Sequence, residues 1–340
     1  MIKEVFKGIL LTQLVLVLFS CNKKETLVPT VTTDSISAIT DNSAVCGGTL
    51  ISEGGGIIIA RGICWSEDIL PTSNNNKIDG DSETDTFICK ISNLEPLTTY
   101  YVRAYATNIS GTGYGVPLSF TTREKTSEVT DIDGNLYHSV VIGTQEWLTE
   151  NLKSTHYADG IEIPLITDYN EWGNLADNDT DKAYCFYNNN VTGEADIYGI
   201  LYTWSAATNG IGNDSINNIN IQGVCPDGWH IPSNEEWQQL IDYISSDGFA
   251  ENVGFALKAT SGWIEDGNGI DAYGFDAQPS GSRSATESGS FSNPGYCSWW
   301  SSTENDLVCA YRSRLTYSNS SIEKRSSDKS NGFSVRCIKD

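Results

Sequence analysis

The sequence predicts two folded parts in series, an all-β sandwich over residues 30–122 and an α+β domain over residues 129–340. Three observations carry this expectation. Up to Thr122, apolar and polar residues alternate with period two between turn residues, which is the rhythm of short antiparallel strands. Beyond residue 128 the pattern changes to one well-marked helix set in loops rich in glycine and serine. A length of 340 residues suits two compact domains, and 39% hydrophobic with 19% charged residues is too apolar for a disordered chain and too polar for a polytopic membrane protein.

Taken in order, the chain opens with Lys3 and Lys7 ahead of an apolar run from Ile9 to Phe19. That run is shorter than the roughly 20 residues of a bilayer-spanning helix, so residues 1–20 read as a secretion signal. Leu18-Phe19-Ser20-Cys21 resembles the lipobox of bacterial lipoproteins. The resemblance implies that Cys21 carries lipid and that the chain is anchored in the outer membrane, on its periplasmic or surface face, with residues 21–29 as a tether.

In the first folded part, strands are expected at residues 44–50, 57–65, 86–91, 100–108 and 118–122. Alternation places Tyr100, Val102, Ala104 and Ala106 on the core face and Tyr101, Arg103 and Tyr105 toward solvent. The run Leu94-x-Pro96-x-Thr98-x-Tyr100 resembles the tyrosine corner of fibronectin type III domains, and the likeness covers about 90 residues. It implies a small antiparallel sandwich, which is read as a spacer.

Residues 123–128 are charged and almost free of apolar side chains, which marks a hinge. Residues 129–137 read as a hairpin turning at Asp133-Gly134, because Asp-Gly favours the positive φ angles of a tight turn. The strongest helix start is Pro232-Ser233-Asn234-Glu235-Glu236-Trp237: Ser233 caps free amides, Glu236 reaches back, and Trp237, Leu240, Ile241 and Ile244 share a face. A shorter helix is expected over 200–207, and closing strands at 298–302, 308–315 and 333–338.

Read in order, several segments of the second part resemble the Fibrobacter succinogenes major paralogous domain. They include Ile142-Gly143-x-Gln145-x-Trp147, Glu150-Asn151-Leu152, Tyr198-Gly199, the run from Cys225 to Trp237, Trp299-Trp300-Ser301-Ser302-Thr303-Glu304 and Gly332-Phe333-Ser334-Val335-Arg336-Cys337. The resemblance implies a secreted or surface-anchored module without established catalytic residues. The helix start also resembles that of formylglycine-generating enzymes, and the closing cysteines those of C-type lectin-like folds, so the fold expectation is of that kind. Cys225 and Cys337 are suited to a bridge that closes a long loop. Cys297 and Cys309 are in position for a second one across a hairpin, while the pairing of Cys46, Cys64, Cys89 and Cys185 stays open.

Function is bounded by what these residues allow. A net charge of −23 repels phosphate backbones, so nucleic acid is not an expected partner. Three histidines and no Cys-x-x-Cys pair leave little for a metal site or any cofactor, and none is expected. His230, beside the capping turn, reads as a structural histidine rather than a base. Asp177, Asp179 and Asp181 alternate as calcium ligands do, but a solvated acidic loop is the favoured reading. The expectation is a non-enzymatic envelope lipoprotein that binds a glycan or a surface protein through its lectin-like domain. The alternatives are a structural component of a surface fibre or envelope complex and, more remotely, a calcium-dependent carbohydrate binder or a formylglycine-generating type of enzyme. Trp263, Tyr273, Arg283, Tyr311 and Arg314 are the expected contacts, with Trp263 the exposed aromatic.

Overall fold

The computed structural model describes residues 25–340 apart from 81–83, 124, 126, 177–179, 191–193, 213–218 and 293–294. The secretion signal, Cys21, Asp177 and Asp179 thus lie outside the described residues. The first part is built from β1 (Thr30–Thr33), β2 (Ala44–Ser52), β3 (Ala60–Ser66), β4 (Asn76–Asp79), β5 (Thr86–Ile91), β6 (Thr99–Asn108), β7 (Gly111–Tyr114) and β8 (Leu118–Thr121). One sheet has the order β1-β2-β5; the other runs β4-β3-β6-β7, with β8 also paired to β6. Their inner faces enclose one core that includes Val31, Cys46, Ile63, Phe87, Tyr100, Val102 and Phe120. The tyrosine corner is present: the Tyr100 hydroxyl accepts from the Glu95 amide at 3.1 Å. Sheet order, sandwich and corner together are fibronectin type III-like.

Two sequence expectations in this part need correction. The third strand starts at Ala60 rather than residue 57, and Ile57 and Ile59 are exposed. Tyr105 does not face solvent. It is buried because its hydroxyl donates to the Asp79 carboxylate, so a polar partner on the neighbouring strand outweighs simple alternation.

The second part opens with β9 (Glu128–Thr130), β10 (Leu136–Ile142) and β11 (Gln145–Leu148), continues through α1 (Tyr169–Gly173), β12 (Tyr184–Cys185), α2 (Glu194–Tyr198), β13 (Leu201–Tyr202), α3 (Trp204–Thr208) and β14 (Trp229–His230), and closes with α4 (Asn234–Ile244), α5 (Val253–Leu257), β15 (Tyr296–Glu304), β16 (Cys309–Thr316), β17 (Asn319–Asp328) and β18 (Ile338–Lys339). Among the described residues α4 is the one α-helix longer than five residues, and its capping box forms as expected, with Ser233 accepting from the Glu236 amide at 3.2 Å and Glu236 from the Ser233 amide at 2.7 Å. The turn between β9 and β10 is wider than Asp-Gly alone predicts, because Asp131 accepts from the amides of Asp133 and Asn135 at 3.0 and 2.9 Å. Residues 200–207 split into strand and helix rather than one helix. Over 333–338 only Ile338 belongs to a continuous strand.

Closure comes from the last strand. β18 lies between β14 and β11 in a sheet ordered β14-β18-β11-β10-β9, and Cys337 is bonded to Cys225 across 112 residues, beside the same seam. The expected bridge is therefore present. The second one is not: Cys297 pairs in register with Leu315 and Cys309 with Asp328, which separates the two thiols by six residues of β16, or about 20 Å.

Many of the residues that carried the family resemblance meet in one buried network. Trp147, Trp237, Trp299 and Phe275 pack with ring centroids 4.7 to 6.3 Å apart. The fully buried Arg336 guanidinium lies over Phe275 and Trp299 at 4.4 and 5.5 Å. It donates to Asn151 Oδ1 at 2.8 and 3.2 Å and to the Phe275 carbonyl. Burial pulls its pKa down to about 10, outweighing the charges of Asp276 and Glu150, which act to raise it. Gly199, with φ +71°, brings its backbone so close to Asn151 that a Cβ would stand 2.7 Å from that residue's own Cβ.

The two parts also touch. Asp247 Oδ2 accepts from the Ala38 amide and from the Tyr273 hydroxyl, both at 2.8 Å. Lys90 donates to the Asp271 carbonyl and pairs with its carboxylate at 3.3 Å. Residues 123–128 are accordingly no free hinge at their start, since Arg123 donates to the carbonyls of Val141 and Gly143 at 3.2 Å and to the Tyr243 hydroxyl at 2.7 Å.

Candidate functional site

Of the five expected contacts, three are interior. Trp263 is 5% exposed, its indole donating to the Ala277 carbonyl at 2.9 Å under the Lys258 ammonium at 4.9 Å. Tyr273 is 1% exposed and bound to Asp247. Arg283 is fully buried. Its guanidinium donates to the carbonyls of Ile166, Thr167, Asp168 and Gly289 at 2.7 to 3.1 Å, among the rings of Tyr169, Trp172 and Phe291. These side chains hold loops in place. Their flanking glycines and acidic residues suggested surface, yet each side chain found a partner inside, backbone carbonyls for Trp263 and Arg283 and the Asp247 carboxylate for Tyr273.

Tyr311 and Arg314 are half-buried on β16 but lie on opposite faces, as odd and even positions of one strand must. The odd face carries Ser313 and Leu315 and meets the core under α4; Lys324, level with Ser313, donates to the Asn234 carbonyl at 3.1 Å. The even face carries Arg312 and Arg314 and opens into a groove of about 460 Å³. Its walls are the 282–292 loop, Tyr296 and Ser298 of β15, Ser327 of β17, and Phe333.

Positive charge on this face is supplied by neighbouring strand positions. Arg312 Nε donates to Ser327 Oγ at 2.6 Å and Nη1 to Ser298 Oγ at 2.9 Å, with the guanidinium over Phe333 at 5.0 Å. Burial, then the nearby cations of Arg314 and Arg325, pull its pKa down to about 10. Arg314 stacks on the Tyr296 ring at 4.3 Å. Arg325, across the register from Arg312, pairs with Glu323 at 3.1 Å. Sequence reading found Arg314 but missed Arg312, Tyr296 and β17, because the polar run Asn319–Asp328 lacks the alternation of a strand.

The other groups with chemical potential are accounted for by structure. His230 is 3% exposed, with Nδ1 2.7 Å from Asp340 Oδ1 and Nε2 2.9 Å from Glu236 Oε1. Burial acts to lower its pKa, but hydrogen bonds and charge from Glu236 and Asp340 outweigh it and the net shift is upward. Burial pushes the Cys297 thiol up to about 12 and also raises that of Cys309, which disfavours the thiolates an oxidase would use. Among the described residues no group of three or more His, Cys, Asp or Glu side chains could hold a metal ion. Nor, among them, is any helix long and apolar enough to cross a membrane.

A sheet-rich chain with a fibronectin type III-like part and a cystine-closed second part fits a surface or extracellular protein. The family model of the Fibrobacter succinogenes major domain matches residues 140–339, and the chain belongs to that family. No curated protein matches it. Among solved structures, it is similar to the sensor domain of the anti-sigma factor RsgI4 of Pseudobacteroides cellulosolvens, at 19% identity and TM-score 0.22 over 29% of this chain and 99% of that one. It is likewise similar to the fibronectin domains FN1–FN3 of chicken CNTN1, at 18% identity and TM-score 0.22 over 29% of this chain and 33% of that one. The fibronectin type III domain of human fibronectin type III domain containing protein 3 is 15% identical at TM-score 0.22, over 30% of this chain and 92% of that one.

Proposed function

We propose that this chain is a non-catalytic binding protein of the cell envelope, anchored through lipid on Cys21 in the outer membrane, whose second part grips its ligand in the groove on the even face of β16. The groove itself is the observation that carries the reading: its volume of about 460 Å³ falls in the range of roughly 300 to 1,000 Å³ usual for ligand sites. Aromatic and arginine side chains on a stiff sheet are the groups that supply binding energy at low ordering cost. A lectin-like reading of the domain is supported by the return of its last strand beside β11 and by the Cys225–Cys337 clamp on loops that would otherwise be costly to order.

One experiment on the intact protein tests both halves of this reading. Cells are labelled with palmitate, and the purified chain is screened on glycan and surface-protein arrays. Label is expected in the wild type and not in Cys21→Ser, with array capture lost in Tyr296→Ala at an unchanged melting temperature. Unlabelled wild type would remove the anchor; capture undisturbed by Tyr296→Ala, or turnover of any compound by the purified chain, would remove the groove as the site of function.

A further inference from the structure

The groove's charge conflicts with that of the whole molecule, and the conflict is informative. The chain has 44 Asp and Glu against 21 Lys and Arg, yet several of its arginines have no carboxylate partner, Arg123, Arg283 and Arg336 bonding to neutral oxygens instead. Two more stand side by side here. Among the described residues Arg312 bonds only to the hydroxyls of Ser298 and Ser327, and its Nη2, which is open to solvent, makes no hydrogen bond. Arg314 has a ring beneath it and no hydrogen bond or ion pair. Glu323 is engaged by Arg325, and the exposed Glu287 stands on the opposite wall. Arg312 and Arg314 are two strand residues apart on the same face, so their Cα atoms stand about 7 Å from each other. Their mutual repulsion is part of what lowers the Arg312 pKa, and an anion between them would relieve it.

The rest of the lining narrows the ligand further. The hydroxyls of Ser282, Ser290 and Tyr296 make no hydrogen bond, and Asn331 accepts at Oδ1 from the Ala285 amide at 3.2 Å while its Nδ2 donates to nothing. Among the described residues no aliphatic side chain lines the groove, which leaves no aliphatic seat for an apolar peptide anchor. Resting on the binding role just proposed, we infer that the groove takes an acidic saccharide, with Arg312 and Arg314 receiving the carboxylate and the serine, asparagine and tyrosine groups receiving sugar hydroxyls. Planar guanidiniums match a carboxylate through paired N–H donors, and a polyhydroxylated ring suits a wall of short polar side chains.

The test is titration of the full chain with short oligogalacturonate, with its neutral methyl ester and with poly-glutamate. Oligogalacturonate is expected to bind, more weakly as salt is raised; esterification, or Arg314→Ala at unchanged melting temperature, should each weaken binding by about tenfold, as loss of one charge-assisted contact does. Arg314→Lys, which keeps charge without the planar fork, should fall between. Equal binding of the ester, with both ligands lost in Tyr296→Ala, would overturn the acidic assignment and leave the groove's binding role standing. Tighter binding of poly-glutamate would replace the saccharide with an acidic peptide. Failure of all three to bind overturns the inference; array capture sensitive to Tyr296→Ala would then keep the binding role, and its absence would end both.

Discussion

His230 shows how a single residue can be legible in type but not in consequence. Its place in a dense motif beside a capping turn indicated a buried structural histidine, and it is one, but the two carboxylates that hold it come from Glu236 and, across the chain, from Asp340. The shift has a definite sign. The His230 pKa is raised above its ordinary 6.5, so its contribution is complete below that value and is lost as pH rises through the higher folded-state pKa. The Glu236 carboxyl is lowered below its ordinary 4.5 even though burial, its largest influence, opposes this; the bonds from His230 and Ser233 prevail. Its contribution is present above 4.5 and fades as pH falls through the lower folded-state value. Denaturant titrations of wild type and His230→Gln should therefore differ most at about pH 5.5 and converge in alkali and strong acid. A gap independent of pH would show that shape rather than charge accounts for this contact. The same scale explains the misplaced contacts: no local pattern tells that Arg283 finds four carbonyls and three rings inside.

At the scale of elements, α4 was readable because its start is written in side chains. Ser233 and Glu236 satisfy amides that the helix leaves open, and Trp237, Leu240 and Ile244 are buried on the expected face. Ser233→Ala should cost about 1 kcal/mol, and Ser233→Asp should restore most of it, both measured by chemical denaturation. If the alanine variant is as stable as wild type, other contacts such as the Asn234 amide to Thr303 Oγ1 at 3.0 Å hold the helix start. The edge strand β17 was not readable, since nine of its ten residues are polar or charged, Ile322 being the exception, and its strand form depends on pairing with β16 from Cys309↔Asp328 to Thr316↔Asn319. With it went half of the groove, because Arg312 is held in place by Ser327 of that strand.

For the whole molecule, the contact between the two parts decides whether the first is a loose spacer or a rigid support. Arg123, Asp247 and the Lys90–Asp271 pair join them, and Ala38 and Val45 of the sandwich share a core with Val140, Phe249 and Tyr273. The wild type should therefore unfold in a single calorimetric transition, and Arg123→Ala combined with Asp247→Ala should separate it into two and increase the radius of gyration by scattering. One unchanged transition in the double variant would mean that the apolar contacts suffice.

The sequence by itself determined the two-part order, the tyrosine corner, the capped helix and the family, because each depends on chemistry within a few neighbouring residues or on motifs in fixed order. Only the tertiary structure decided that Cys297 and Cys309 stay apart, which arginines are interior and where the groove opens. Those outcomes depend on strand register and on partners more than a hundred positions away, such as Ile166 for Arg283 and Asn151 for Arg336, and no local pattern of side chains encodes such distances.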